Sequence, residues 1–225
     1  LDAIERIEVA ARTQWAHHLA LAGGPHAHLD PVYARDTARH ARLLETLEND
    51  VRRSTEPTIV EHLTSYSEPL PPSWVVCEAM SFGQLAQWIR NLASDRVRKR
   101  IAGTFGLPLP LFLSWLSHLV HVRNRAAHQG RMWNHEYTIS PMRPIRHPAP
   151  LVQDWSRQDR RIHNTLLILL HLMKQVSPES SWPARLLELI KRFGHQWWPH
   201  MGFPDGWAQG PSWAPPLNGS PPGEP

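Results

Sequence analysis

Apolar residues recur at spacings of three and four through almost every segment of this chain, and no alternating apolar/polar run extends past four residues. A strand turns alternate residues to one face, whereas a helix gathers every third or fourth residue into one stripe. The pattern admits helices and leaves no strands from which to build a sheet, so the expected class is all-α. Prolines and glycines then set the helix lengths. Ile4, Ile7, Ala11, Trp15, Leu19 and Ala22 form the first stripe, which Gly23-Gly24-Pro25 ends. Asp30-Pro31 reads as an N-cap with proline at the first helical position, opening a helix to about Arg53. Glu56-Pro57 starts a short helix that ends near Tyr66. Leu70-Pro71-Pro72 is a rigid break before Ser73, which caps an apolar helix over 73–93 expected at the centre of the core. A short basic helix covers 94–102, and Leu107-Pro108 separates it from a helix over 110–128. A proline-rich linker at 141–150 precedes a long helix over 154–176 and another over 183–193. After Gly202 the chain is rich in Pro, Gly and Trp. One helical domain over 1–208 with a disordered Pro/Gly-rich tail over 209–225 is therefore expected.

The helix over 110–128 runs into Arg123-Asn124-Arg125-Ala126-Ala127-His128, followed by Gln129-Gly130-Arg131-Met132-Trp133-Asn134. At about 100° per residue, Asn124, His128 and Arg131 fall within about 60° of one another, with His121 near the same stripe. Arg123 sits about 100° to one side, and its long side chain can reach that stripe. Phe112, Trp115, Leu119, Val122 and Ala126 occupy the opposite, core-facing side. Gly130 invites a break, which makes Arg131 the weaker member of the set.

This combination can hold a phosphate and move a proton without a metal. Imidazole titrates near neutral pH, so His128 can take a proton from a ribose 2′-OH or give one to a leaving 5′-oxygen. A guanidinium stabilises the extra charge on the pentacoordinate phosphorus. One imidazole cannot be acid and base in the same step, and a two-fold dimer would supply the second. The same residues also suit a surface helix end, where Arg and His satisfy terminal carbonyls.

Charge and composition narrow the alternatives. The net charge is only +4, and the positive residues are nearly all arginine, with lysine at Lys99, Lys174 and Lys191 alone. Arginine presents a planar fork to phosphate, so RNA or DNA fits as a partner; a GC-rich genome produces the same bias. The single cysteine, Cys77, excludes an intrachain disulfide and a cysteine-based zinc site. The His17/His18, His26/His28, His118/His121 and His195/His200 pairs lack cysteine or acidic companions at ligand spacing, so no metal site and no cofactor are expected. No apolar run reaches the roughly 18–20 residues that span a bilayer, and no signal peptide opens the chain. No membrane association and a bacterial cytoplasmic location are expected. The chain opens on Leu1 in helix-like sequence and reads as part of a longer protein.

Residues 74–134 resemble the Abi-like family of bacterial abortive-infection proteins, in the HEPN superfamily. The matching pieces are Pro72-Ser73-Trp74, Glu78 with Ser81-Phe82-Gly83, Trp115-Leu116, and above all Arg123-Asn124-x-x-Ala127-His128 with Arg131-x-Trp133-Asn134. Glu5-Arg6-Ile7-Glu8 and Met201-Gly202-Phe203-Pro204-x-x-Trp207 extend the likeness over most of 1–208. The resemblance implies a HEPN-like helical bundle with extra helices and a metal-independent endoribonuclease that often works as a homodimer. It also implies a toxin-like role in phage defence, restrained by an antitoxin or regulatory partner. Arg123 and His128 match the catalytic pair, and Asn124 matches its polar neighbour. Relatives usually carry a further helical region before the segment that opens this chain, and many have a second His where Gln129 stands.

Around this pair, Asn124, Arg131 and Glu78 are expected to support the site, Glu78 as a buried carboxylate that orients Arg123 or His128. Arg125, Trp133 and Asn134 beside the motif, with Arg98 and Arg100 in the basic run, are expected RNA contacts. A silent HEPN scaffold that binds RNA or a partner protein, and a metal-dependent hydrolase, are the rival readings.

Overall fold

The computed structural model describes residues 1–192 and 194–214. Among the described residues ten α-helices follow in order: α1 Asp2–Gly23, α2 Thr37–Arg53, α3 Pro57–Ser65, α4 Ser73–Val76, α5 Phe82–Asn91, α6 Asp95–Thr104, α7 Leu109–Ala127, α8 Ala149–Asp154, α9 Ile162–Val176 and α10 Trp182–Arg192. Among the described residues there is no strand, only an isolated bridge between Ala34 and Leu92. The all-α expectation holds.

The stripe of α1 is buried as its spacing requires, through Ile4, Ile7, Ala11, Trp15 and Leu19. α1 packs against α9, α4, α6 and α5, which makes it the central strut. α5 lies between α2 and α7, and α6 also packs on α7. Phe82, Leu85, Trp88 and Ile89 of α5 meet Phe112, Trp115 and Leu119 of α7 in one continuous core. Among the described residues no single helix is long and apolar enough to cross a membrane.

Three expected helices begin or break elsewhere, and each difference traces to a competing cap. Asp30 accepts the Val32 amide at 2.9 Å and caps only the 3-10 turn Pro31–Tyr33. The long helix starts behind Asp36, whose carboxylate accepts the Arg39 amide at 2.8 Å. The apolar 73–93 segment is two helices, because Ser81 and Gln84 form a capping box that restarts the chain at Phe82. The expected 154–176 helix begins only at Ile162. Asn164 bonds both the amide and the carbonyl of Ser156 at 2.9 Å, which holds the preceding segment in a non-helical turn.

The expected tail boundary at residue 209 also moves. Phe203, Trp207 and Trp213 are buried; Trp207 meets both Phe203 and Trp213 edge-on, and Phe203 meets His163 of α9 edge-on. Asp154 at the end of α8 accepts the Ser212 amide at 2.7 Å. The rest of the expected tail, 215–225, lies outside the described residues.

Candidate active site

α7 buries Phe112, Trp115, Leu119 and Val122 against the core and carries its polar residues to a surface-exposed C-terminus. His118, one turn below His121, belongs to the fold rather than the site. It is fully buried, its Nδ1–H donates to the Ile139 carbonyl at 2.6 Å, and its Nε2 accepts from the Thr165 hydroxyl at 2.8 Å. Burial pushes its pKa down to about 4.

The helix ends in a Schellman motif. The Gly130 amide reaches back to the Arg125 carbonyl at 2.8 Å, and the Gln129 amide to Ala126 at 3.1 Å. Gln129 takes the left-handed conformation, with φ 55°, that glycine usually supplies at this point. Gly130 is needed for a different reason: a Cβ there would lie 2.7 Å from Arg125 Cγ and 3.0 Å from the Arg125 carbonyl oxygen. His128 is the capping residue itself, with φ −87° and ψ 20°, and its side chain is exposed.

Because α7 stops at Ala127, Arg131 does not continue the Asn124/His128 stripe as expected. It lies beyond the reversal, where its carbonyl accepts Arg125 Nε at 2.8 Å. Arg125, expected on RNA, is thereby engaged in closing the loop. Asn134, also expected on RNA, has φ 45° and accepts Arg161 Nη1 at 2.7 Å, while Arg161 Nη2 pairs with Glu136 at 3.0 Å. Trp133 is exposed, with its ring edge-on to Trp197 at 5.6 Å.

Arg123 reaches round the helix as its length allows. Its Nη1 lies 3.4 Å from Oδ1 of the neighbouring Asn124. Its Nε lies 3.8 Å from a carboxylate oxygen, which belongs to Glu8 of α1. Glu8 is only 7% exposed, and its other oxygen pairs with Arg12 one turn on. Arg12 also donates to the carbonyls of Cys77 and Met80, which close α4.

Glu78 is thus not the supporting carboxylate. The chain turns at 77–80, so Glu78 is exposed on the rim of a groove of about 860 Å³ that it shares with Trp74, Cys77 and Arg12. Arg98 is not an RNA contact either. It is 4% exposed, pairs with Asp95 and lies 3.4 Å from the Arg90 carbonyl. Its position three and four residues before Ile101 and Ala102 puts it on the buried face of α6. Arg100 is exposed and stands near His18, whose pKa is lowered by burial first, then by His17 and last by Arg100. His18 lies ten residues along α1 from Glu8, about 15 Å of helix, so Arg100 is not at the site.

Sequence reasoning missed Glu8, Arg12 and Arg161, and it missed the charge that converges on His135. His135 is held below the ordinary histidine range, first by partial burial and then by Arg125, Arg131, His121 and Arg161. Arg125 also acts on Tyr137, whose buried ring is met edge-on by His118, His121 and His135. Among the described residues no group of three or more histidine, cysteine or acidic side chains converges to hold a metal.

The family model of the Abi-like proteins matches residues 1–134. No curated protein and no solved structure matches the chain. The family match takes in Glu8, Arg123 and His128 and spans 134 of 225 residues; the chain belongs to the Abi-like protein family.

Proposed function

We propose that this protein is a metal-independent endoribonuclease of the HEPN type, acting as a toxin-like effector of abortive infection in the bacterial cytoplasm. The observation that carries the reading is Arg123, drawn across to Asn124 on the stripe of an exposed His128 while cations gather on the adjoining loop. An arginine that served only to finish a helix end would have no reason to be held from two sides.

In this reading Arg123 binds the scissile phosphate and Asn124 steadies the guanidinium. His128 takes the proton of the ribose 2′-OH. The 2′-oxygen attacks phosphorus and the bond to the 5′-oxygen breaks. The products are a 2′,3′-cyclic phosphate and a 5′-hydroxyl. The leaving oxygen needs a proton, and His128 of the partner subunit supplies it in a homodimer whose 123–128 segments adjoin the two-fold axis. Arg131 and Arg161 attract the RNA backbone, and Trp133 offers an exposed ring to a base. An antitoxin or regulatory partner would restrain the activity.

The test is cleavage of RNA in EDTA, with the 3′ ends identified. Metal-free cleavage to cyclic phosphate, lost in His128→Ala, is the expected result. Cleavage that stops in chelator and returns with one metal contradicts the mechanism. RNA bound but uncut points to a silent scaffold.

A further inference from the structure

We infer that Glu8 is the positioning residue of the site: a buried carboxylate on α1 that fixes the direction of Arg123. The inference rests on the ribonuclease reading for what Arg123 does, and on geometry for how it is held. A carboxylate that is 7% exposed must be paired, since burying it alone is costly. Arg12 already meets that need and is itself anchored to the carbonyls of Cys77 and Met80. Arg123 has the opposite status. Its side chain is 36% exposed, so water can solvate it and no partner is required. The contact between them is therefore not demanded by either group's burial. Its effect is orientation. Glu8 Oε2 faces Nε, Asn124 Oδ1 faces Nη1, and Nη2 has no protein partner among the described residues. Two of the three nitrogens face oxygens of the protein, and the remaining edge is left for a phosphate.

The arrangement also explains why α1 belongs to the site although 115 residues separate Glu8 from Arg123 (123 − 8). Arg12 fixes Glu8 to the turn between α4 and α5. α5 packs on α7, which carries Arg123. The carboxylate thus refers the arginine to the rigid core rather than to the loop beyond α7.

The test compares wild type, Glu8→Gln, Arg123→Gln and the double variant in three measurements. These are thermal unfolding, affinity for a 2′-O-methyl RNA oligonucleotide that cannot be cut, and cleavage of the matching RNA in EDTA. Glu8→Gln is expected to lower kcat about tenfold or more, because a guanidinium free to swing is misplaced by an ångström or so. KM and the affinity for the methylated RNA should hold or improve, since a negative charge has left. In the Arg123→Gln background the same change should cost less than about twofold, since the group it acts through is gone. Glu8→Asp keeps a charge for Arg12 but withdraws the carboxylate by one methylene, and it should lower kcat in the same direction if the glutamine variant does not fold. Unchanged cleavage by a Glu8 variant, or equal losses in both backgrounds, overturns the inference. If wild type does not cut RNA, the ribonuclease reading fails and unfolding decides. Losses in Tm that simply add in the double variant overturn the role of Glu8, and losses that do not add uphold it.

Discussion

Arg125 Nε donates to the Arg131 carbonyl at 2.8 Å and so ties the last turn of α7 to the strand of loop that returns past it. His128 sits at the apex of the closed segment. The catalytic imidazole of the proposed mechanism is thus carried by a short, cross-braced reversal rather than by a free helix end.

His128→Ala is expected to lower cleavage by roughly 10²–10⁴, the usual worth of a general acid or base. The side chain is exposed and makes no packing contact that the fold depends on, so the unfolding midpoint should be unchanged. Retention of more than about a tenth of the rate by the folded variant removes His128 as the proton carrier.

Gly130→Ala should destabilise by about 1 kcal/mol, because the new methyl meets both Arg125 Cγ and the Arg125 carbonyl. Gln129→Gly should act in the opposite direction by about 0.5 kcal/mol. Relief of the left-handed conformation exceeds the extra freedom glycine has in the unfolded chain. Urea unfolding of the two variants checks both signs, and a stable Gly130→Ala would mean that the clamp yields freely.

Acid should weaken the fold well above the carboxylate range. Burial lowers the pKa of His28, His118 and His163 to about 4 each. Between about 6.5 and 4 the unfolded chain binds protons that the folded chain refuses, so stability is fully present above 6.5 and falls as the pH drops towards 4. At 1.36 kcal/mol per unit, each such histidine contributes up to about 3 kcal/mol across that window. Urea midpoints at pH 7.5 and 5 measure the loss, and His118→Gln should make the slope shallower. A midpoint independent of pH over this range would contradict the burial of these rings.

Cys77 should resist alkylation in the native protein at pH 8, because burial pushes its thiol up to about 11. Iodoacetamide is expected to label it only after denaturation. Rapid native labelling would show that the groove beside α1 opens far enough to admit the reagent.

The sequence made α7 legible because its apolar face and polar end obey one period. The Arg123/His128 pair stood out because both residues are local to one helix turn and a cap. Glu8 was not legible. It sits within the Ile4/Ile7/Ala11 stripe, and only the distant packing of α1 shows which cation it faces. An unbroken helix over 73–93 would turn Glu78 inwards, onto the stripe of Trp74, Phe82 and Leu85. The Ser81–Gln84 capping box breaks that helix, although the run of apolar residues continues across it. Arg98 belongs to a basic run in the sequence, but its spacing to Ile101 and Ala102 places it on the buried face. His118 depended on Ile139 and Thr165, partners no local pattern can name.

The packing of α9 on α1 sets a boundary that the family match does not share. A fragment cut after Asn134 would keep Glu8, Arg123 and His128, yet it would bare the α1 face that α9 covers and strip His118 of both ring partners. The segment that the family match recognises is therefore shorter than the one that buries the core. A dissection that respects only the recognisable part would leave the motif intact and the apolar face of α1 open to water.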